Sequence, residues 1–373
     1  MAEPKGMVIS DFNLRKLTTK DFSKHLAASI DIGSDMAIFG RRGTGKTEIT
    51  KQEIEKAKCK EVYMNLSVLE RVDLGGYPDL MASKAKQAFV DFLLPRIFQP
   101  LTDGPEDVVV ILDEVDKADP SLWAPLLEFV QFKSINGHKF PFLRSIVMTG
   151  NLISEGGSRP SLPLLDRCEK YLVEADVSSW LAWAGESRRI HPAITAFIND
   201  NQNMLIGEVD PDEKYADQSP RGWANSSKIL FKGEERKWDT TMLNTKVFGC
   251  VGKEAGEKYK NYYAYYRELL PLVDDVFAGK NIEKEYSQLN PTKRLISCMI
   301  SCSRLATQLD KITDDSLPDS VKNVAKLFSY ADYEHIFVGV RSQITVDRLI
   351  KHNLDSHPDW EHILTYISNT VHK

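Results

Sequence analysis

The sequence has no excess of positive charge: 48 lysines and arginines face 53 aspartates and glutamates, for a net charge of −5. That balance does not describe a dedicated nucleic-acid binder, whose surface carries a basic surplus, although a basic channel inside an acidic protein stays open. Cysteine is scarce, five in 373 residues. The number is odd and the spacings build no disulfide framework, which points to a reducing, cytoplasmic setting. No run approaches the roughly 20 apolar residues of a membrane-spanning helix. The opening MAEPKGMVISDF lacks the apolar centre of a secretion signal. Internal repeats and low-complexity tracts are missing too. What is there is a soluble composition, 42% hydrophobic, long enough for two or three domains of roughly 100–200 residues each.

Hydrophobic periodicity divides the chain. Residues 1–19 read as an irregular lead-in, and Phe22, Leu26 and Ile30 space out a short amphipathic helix. Then strands and helices alternate. Strands are expected at Asp35–Gly40, Val62–Asn65, Val108–Leu112, Arg144–Thr149 and Lys170–Glu174. Helices are expected at 46–58, at 82–98, and from Asp119, an N-cap followed by Pro120, to Phe132 with a kink at Pro125. Alternation of this kind builds a mostly parallel sheet covered on both faces. After about residue 176 the pattern is helical. The expected division is a lead-in and helix over 1–34, an α/β core over 35–176, a helical lid over 177–230 and a C-terminal helical region over 231–373. The charged stretch 231–240 reads as a linker, and further helices are expected at 254–270, 291–312, 320–328 and 344–371.

Gly40, Arg41, Arg42, Gly43, Thr44, Gly45, Lys46 and Thr47 fit the phosphate-loop (Walker A) pattern G-x-x-x-x-G-K-[ST]. A triphosphate needs many donors within a small arc. Glycines let backbone N–H groups turn inward, and the following helix adds its positive end. Lys46 would reach the β- and γ-phosphates, and the Thr47 hydroxyl would ligate Mg²⁺. The bland alternative, a chance glycine-rich turn, is disfavoured by the apolar strand before the loop and the helix after it. The run VVVIL ends in Asp113 and Glu114. In such folds this acidic pair (Walker B) lies beside the phosphate loop. Asp113 would hold Mg²⁺ through water, and Glu114 would orient or deprotonate an attacking water. ATP and Mg²⁺ are the cofactors these residues imply.

With these motifs in hand the sequence resembles the AAA+ ATPases, most closely their MoxR-type branch. The resemblance covers roughly residues 20–230 and rests on LDEVDKADPSLWAPLLEFV, then VMTGN, PLLDRC and SPRGW. It implies the following roles. Asn151 is the polar sensor that bonds the γ-phosphate or the lytic water. Arg167 is the arginine finger. Arg221 is the second sensor, on the lid. Arg159 is a second candidate finger or a partner sensor. The resemblance further implies ATP hydrolysis by a homo-oligomeric, hexameric ring with sites completed between subunits, remodelling of a protein complex, and a von Willebrand factor A domain partner. It places the loop Leu74–Pro78 and the Asn136–Gly137 hairpin signal near a ring pore or top face. A nucleic-acid motor using Lys133, His138 and Lys139, and a slow nucleotide-gated scaffold, are the rival readings. Arg41 and Arg42 depart from the usual charge of the loop.

Other features read as ordinary. The tyrosines at 259, 262, 263, 265 and 266 suit a helix half in the core rather than a stacking platform for single strands. Cys298 and Cys302 share a face with Leu295, Leu305 and Leu309, as buried small residues do. His352, His357 and His362 have no cysteine or carboxylate companions and read as solvated.

Overall fold

Burial alternation along the strands decides the layering. The computed structural model describes residues 14–81, 84, 90–104, 106–152, 160–187, 189–207, 218–309, 319–332, 334–336, 339–340 and 360–361. The expectations for Arg159, for 344–371 apart from residues 360–361, which are helical, and for the three histidines therefore lie outside the described residues. The chain divides into two compact units, Met1–Asp176 and Val177–Lys373.

In the first unit six parallel strands form one sheet. They are β1 (Arg15–Thr18), β2 (Met36–Phe39), β3 (Lys60–Asn65), β6 (Val108–Asp113), β9 (Leu143–Gly150) and β10 (Glu169–Glu174), in the order β1-β10-β2-β9-β6-β3. Two antiparallel ribbons stand apart, β4 (Tyr77–Asp79) with β5 (Asp91–Leu93) and β7 (Ser134–Ile135) with β8 (His138–Lys139). Val108, Val110 and Leu112 of β6 enter one apolar layer with Phe98, Phe129 and Phe140. Val109 and Ile111 enter the opposite layer with Phe22, Leu26, Ile30 and Ile54. Those last four come from helices α1 (Thr19–Ile32) and α2 (Lys46–Lys56); a short helix α3 (Arg71–Gly75) follows β3. A strand buried on both faces is the reason VVVIL is a continuous apolar run. The fold is thus a phosphate-loop parallel sheet flanked by helices and followed by a helical region.

Three expectations are corrected. Residues 15–18 are not irregular lead-in but the edge strand β1, paired with β10 from Arg15↔Tyr171 to Thr18↔Glu174. Its polar sequence RKLT hides it, because only Leu17 is buried. The helix expected at 82–98 is met at residue 84, but its later part is replaced by β5 at Asp91–Leu93 and a 3₁₀ turn at Arg96–Phe98. Phe92 and Leu93 pair across to Pro78 and Tyr77 instead of lying along a helix. The linker at 231–240 is largely helix. Residues 231–235 complete a helix that begins at Pro220, and Asp239 caps the next one through Met242 N–H. The charges there misled because Glu234 turns inward, to His191 and Tyr263.

Asp119 does act as a cap, accepting from Ser121 N–H, but the turn it opens is a 3₁₀ turn at Pro120–Leu122. Helix α4 (Trp123–Phe132) follows without a break. Pro125 sits in its first turn, where a backbone N–H has no intrahelical partner to lose. Asn136 and Gly137 both have positive φ, 47° and 82°, as a two-residue hairpin turn requires.

The second unit is helical. Among its helices are α5 (Val177–Ser187), α6 (Pro192–Asp200), α7 (Pro220–Glu235), α8 (Thr240–Val251), α9 (Lys253–Phe277), α10 (Pro291–Leu309) and α11 (Asp319–Tyr330). Tyr259, Tyr262, Tyr263 and Tyr266 are buried, with Tyr259, Tyr263 and Tyr266 stacked in a ladder along α9. Cys298 and Cys302 are fully buried. No described helix is long and apolar enough to cross a membrane.

One ion pair fixes the lower edge of the sheet. Lys133, in the left-handed region at the end of α4, donates to both oxygens of the nearly buried Asp35, at 2.6 Å to Oδ1. Asp35 also accepts the Ile146 N–H at 2.8 Å. Burial pushes its carboxyl above the ordinary range, and Lys133 opposes that shift. Removing one partner of a buried pair leaves an uncompensated charge. Lys133→Met should therefore cost about 3 kcal/mol in urea denaturation, and the double variant Asp35→Asn/Lys133→Met should cost less than Lys133→Met alone. Additive costs would show that the two residues are not coupled.

Candidate functional site

The sequence after β2 turns sharply. A side chain at Gly40 would run into the carbonyl oxygen of Val173 on the neighbouring strand β10. Gly43 and Gly45 have φ of 73° and 89°, a region that side chains disfavour. The Thr44 hydroxyl donates to Arg41 O at 2.9 Å and closes the loop on itself. Gly45 is the N-cap of α2 and offers no side-chain cap. The first N–H groups of that helix are left with no capping side chain, an arrangement that suits an anion. Lys46 is nearly buried, and its Nζ donates to Gly40 O at 2.8 Å and Arg41 O at 2.9 Å. Its ammonium thus lies along the loop from within. Arg41 is half-buried and Arg42 is exposed.

Asp113 ends β6 beside this loop. Its carboxylate accepts the Thr47 hydroxyl at 3.2 and 3.3 Å, the Tyr63 hydroxyl at 2.8 Å, the Glu114 N–H at 3.1 Å and the Thr149 hydroxyl. Sheet register produces this convergence. Tyr63 pairs with Ile111, so it is the diagonal neighbour of Asp113 on the same face. Ile111 pairs with Val147 and Leu112 with Met148, which sets Thr149 beside Asp113 on the other side. The Tyr63 phenol is pushed up to about 12, first by burial and then by its bond to Asp113. It therefore remains a donor throughout the neutral range.

Glu114 adopts the left-handed conformation with φ of 57°, a strain that accompanies functional sites. Its carboxylate meets Lys117 Nζ at 2.6 Å. That bond holds the carboxyl below its ordinary range, against the opposing effect of burial, so Glu114 is ionised at neutral pH. Asn151 closes the row at the end of β9. Its N–H donates to Asp116 Oδ1 at 2.9 Å, and its amide nitrogen lies 3.5 Å from Asp116 Oδ2. Asp116 is completely buried.

Lys46, Thr47, Asp113, Glu114 and Asn151 all lie at the C-terminal ends of β2, β6 and β9 or on the loop and helix that follow β2. Arg167 does not join them. It precedes β10, whose Glu169 pairs with Met36 at the start of β2, so it stands at the N-terminal edge of the sheet. With a rise of about 3.3 Å per residue, the four residues of β2 alone separate that edge from the loop by roughly 13 Å. Arg167 is exposed and bonds Gln131 Oε1 at 2.9 and 3.0 Å, and Pro163 O. It pairs with neither Asp166 nor Glu169, the surface partners its sequence neighbourhood offers. Arg221 belongs to the second unit, an exposed residue in the otherwise buried first turn of α7.

Tyr63, Thr149, Asp116 and Lys117 were not singled out from the sequence. The signal for Tyr63 and Thr149 is register, which becomes visible only once strand partners are known. Asp116 and Lys117 sit inside the LDEVDKA run and could have been read from it. Among the described residues no group of three or more His, Cys, Asp or Glu is placed to hold a metal by itself. A hydroxyl and a carboxylate fit a cation that draws its other ligands from phosphates and water.

No protein-family model matches the chain, and no curated protein matches it. Solved structures resemble it in outline. The Holliday junction branch migration motor RuvB of Thermotoga maritima shares 12% identity, over 68% of this chain and 75% of its own, with a TM-score of 0.39. NtrX of Brucella abortus, in complex with ADP, shares 16% identity over 68% of each chain with a TM-score of 0.32. The strand order and the glycine-rich loop of the chain itself define its fold.

The Asp116 arrangement is directly testable. Asp116→Ala leaves the buried Asn151 N–H without its acceptor and should cost about 1–3 kcal/mol in urea denaturation. Asn151→Ala keeps that backbone bond and should cost less. The reverse order would remove Asp116 from its supporting role.

Proposed function

We propose that the chain is an ATP-hydrolysing AAA+ ATPase of the MoxR-like branch, and that it acts as a hexameric ring with sites completed between subunits. The observation that carries this reading is the division of the sheet. The phosphate loop, Asp113, Glu114 and Asn151 share one edge, while Arg167 stands exposed on the other. One copy cannot bring its own Arg167 to its own triphosphate without unfolding the sheet, whereas a neighbouring copy can present it.

In this reading the loop N–H groups and Lys46 bind the β- and γ-phosphates. Magnesium, held by Thr47 and by Asp113 through water, would supply charge neutralisation between those phosphates. Glu114 takes a proton from the water whose oxygen attacks the γ-phosphorus, and the bond from that phosphorus to the bridging oxygen breaks, releasing ADP and phosphate. Asn151 orients that water or the γ-phosphate. Arg167 of the next subunit meets the charge spreading over the equatorial oxygens, as a planar guanidinium can. Arg221 couples the second unit to the presence of the γ-phosphate. The output is remodelling or maturation of a protein complex, with a von Willebrand factor A domain protein as the partner class. A nucleic-acid motor is less well supported, because Lys133 is engaged by Asp35 and His138 by the Phe92 carbonyl.

Lys46→Ala should abolish nucleotide binding. Glu114→Gln should bind ATP but lose on the order of a hundredfold or more in turnover. Arg167→Ala should bind ATP and lose about a thousandfold. Mixing Glu114→Gln with Arg167→Ala subunits should restore part of the activity, because some interfaces then hold an intact Glu114 facing an intact Arg167. Full turnover by a monomer, or no recovery on mixing subunits that do assemble, would defeat the shared site.

A further inference from the structure

We infer that Tyr63 is a positioning residue for the metal-bound nucleotide: its hydroxyl, together with that of Thr149, clamps the Asp113 carboxylate plane and so sets the preference for the magnesium form over the metal-free form. This rests on the nucleotide reading of the loop, and it adds a residue that no motif contains.

The bonds to Asp113 are divided between its two oxygens. Oδ1 accepts from the Glu114 N–H at 3.1 Å, from Thr149, and from Thr47 at 3.2 Å. Oδ2 accepts from Tyr63 at 2.8 Å and from Thr47 at 3.3 Å. Thr47 is the hydroxyl whose oxygen a metal would take. When it turns to that task, Tyr63 is the described side chain that still holds Oδ2. A carboxylate anchored at one oxygen can swing about its last bond, whereas one anchored at both presents fixed lone pairs. Groups that orient a metal-binding carboxylate in this way typically change metal affinity or activity by about 10–100-fold when removed.

Packing does not explain the tyrosine. It points outward from edge strand β3, between the inward-facing Val62 and Met64, and is 37% exposed. Its ring is nevertheless held in place. Lys51 Nζ lies 4.9 Å above the ring centroid, and Lys51 is itself tied to Glu61 at 2.9 Å. The cation over the ring face and the hydroxyl at its tip fix the phenol from two sides. Phenylalanine would keep the ring contacts and remove only the donor.

The test uses the full chain and its Tyr63→Phe variant. Affinity for fluorescent ADP is measured in EDTA and in saturating Mg²⁺, and Mn²⁺ binding in the presence of ADP is followed by electron paramagnetic resonance. The variant should bind ADP in EDTA as the native chain does, with an unchanged melting temperature. It should lose about tenfold of the affinity gained on adding Mg²⁺, with a matching weakening of Mn²⁺ binding. An unchanged metal dependence overturns the inference. So does an equal loss in both media, which would give Tyr63 a purely structural part. If the native chain binds ADP in neither medium, or binds it as well with Lys46→Ala, the reading of the loop falls and takes this inference with it.

Discussion

Asp113 is the point on which the first unit converges. Strands β3 and β9, the residue that follows β6 and the first turn of α2 each send a group to its carboxylate. A carboxylate at the rim of a sheet needs that many donors, because a charge withdrawn from water is costly unless it is paired or hydrogen-bonded. The same bonds make the site depend on strand register. A slip of one residue in β3 or β9 would turn Tyr63 or Thr149 to the opposite face. It would also drive Val62 and Met64, or Ile146 and Met148, out of their layer. Apolar burial therefore enforces the register, and the register delivers the donors.

The two edges of the sheet carry different chemistry. The C-terminal edge gathers the loop, Asp113, Glu114 and Asn151. The N-terminal edge is locked by charge pairing: Lys133 to Asp35, and Arg144 to Asp107 at 2.5 Å and to the Ile30 and Asp31 carbonyls. Arg167 stands on that locked edge, its guanidinium held by Gln131 of α4 and the Pro163 carbonyl. Among the described residues these acceptors are neutral, and no carboxylate is in contact with the guanidinium. That is a sensible state for a residue proposed to meet a phosphate, since an existing ion pair would have to be broken first.

What could be read in the sequence was whatever lies contiguous along it. The loop Gly40–Thr47, the strand ending in Asp113 and Glu114, and the amphipathic α1 are each one unbroken stretch, so pattern and chemistry coincide. β1 was lost because an edge strand of four residues with one buried side chain has almost no hydrophobic signature. β5 was lost because Asp91, Phe92 and Leu93 form a strand only through pairing with β4. The stretch 231–240 hides its helix for the opposite reason: its charge is plain in the sequence, but the inward turn of Glu234 depends on His191, far away in sequence. Tyr63 and Thr149 belong to the same class. Each is unremarkable locally and is given meaning by a neighbour that only the sheet supplies.

The helix that carries Arg221 shows how such long-range pairing organises the second unit. Helix α7 carries Arg221 on its first turn and Glu234 near its end. Near the start, Trp223 is fully buried and donates Nε1–H to the Met204 carbonyl at 2.7 Å. Near the end, Glu234 accepts from Tyr263 at 2.8 Å and lies 3.1 Å from Nε2 of the buried His191. Because His191 Nδ1 accepts the Ala193 N–H, the bonding pattern assigns the proton to Nε2, which then donates to Glu234. Burial pushes the Glu234 carboxyl up, but the bonds from His191 and Tyr263 outweigh it and leave it below the ordinary range. The charge is thus kept and satisfied inside the helical unit. Helix α7 is thus tied near its start to the Met204 carbonyl, and near its end to His191 at the head of α6 and to Tyr263 of α9. The proposed second sensor therefore stands on a helix anchored within the helical unit rather than on a loop.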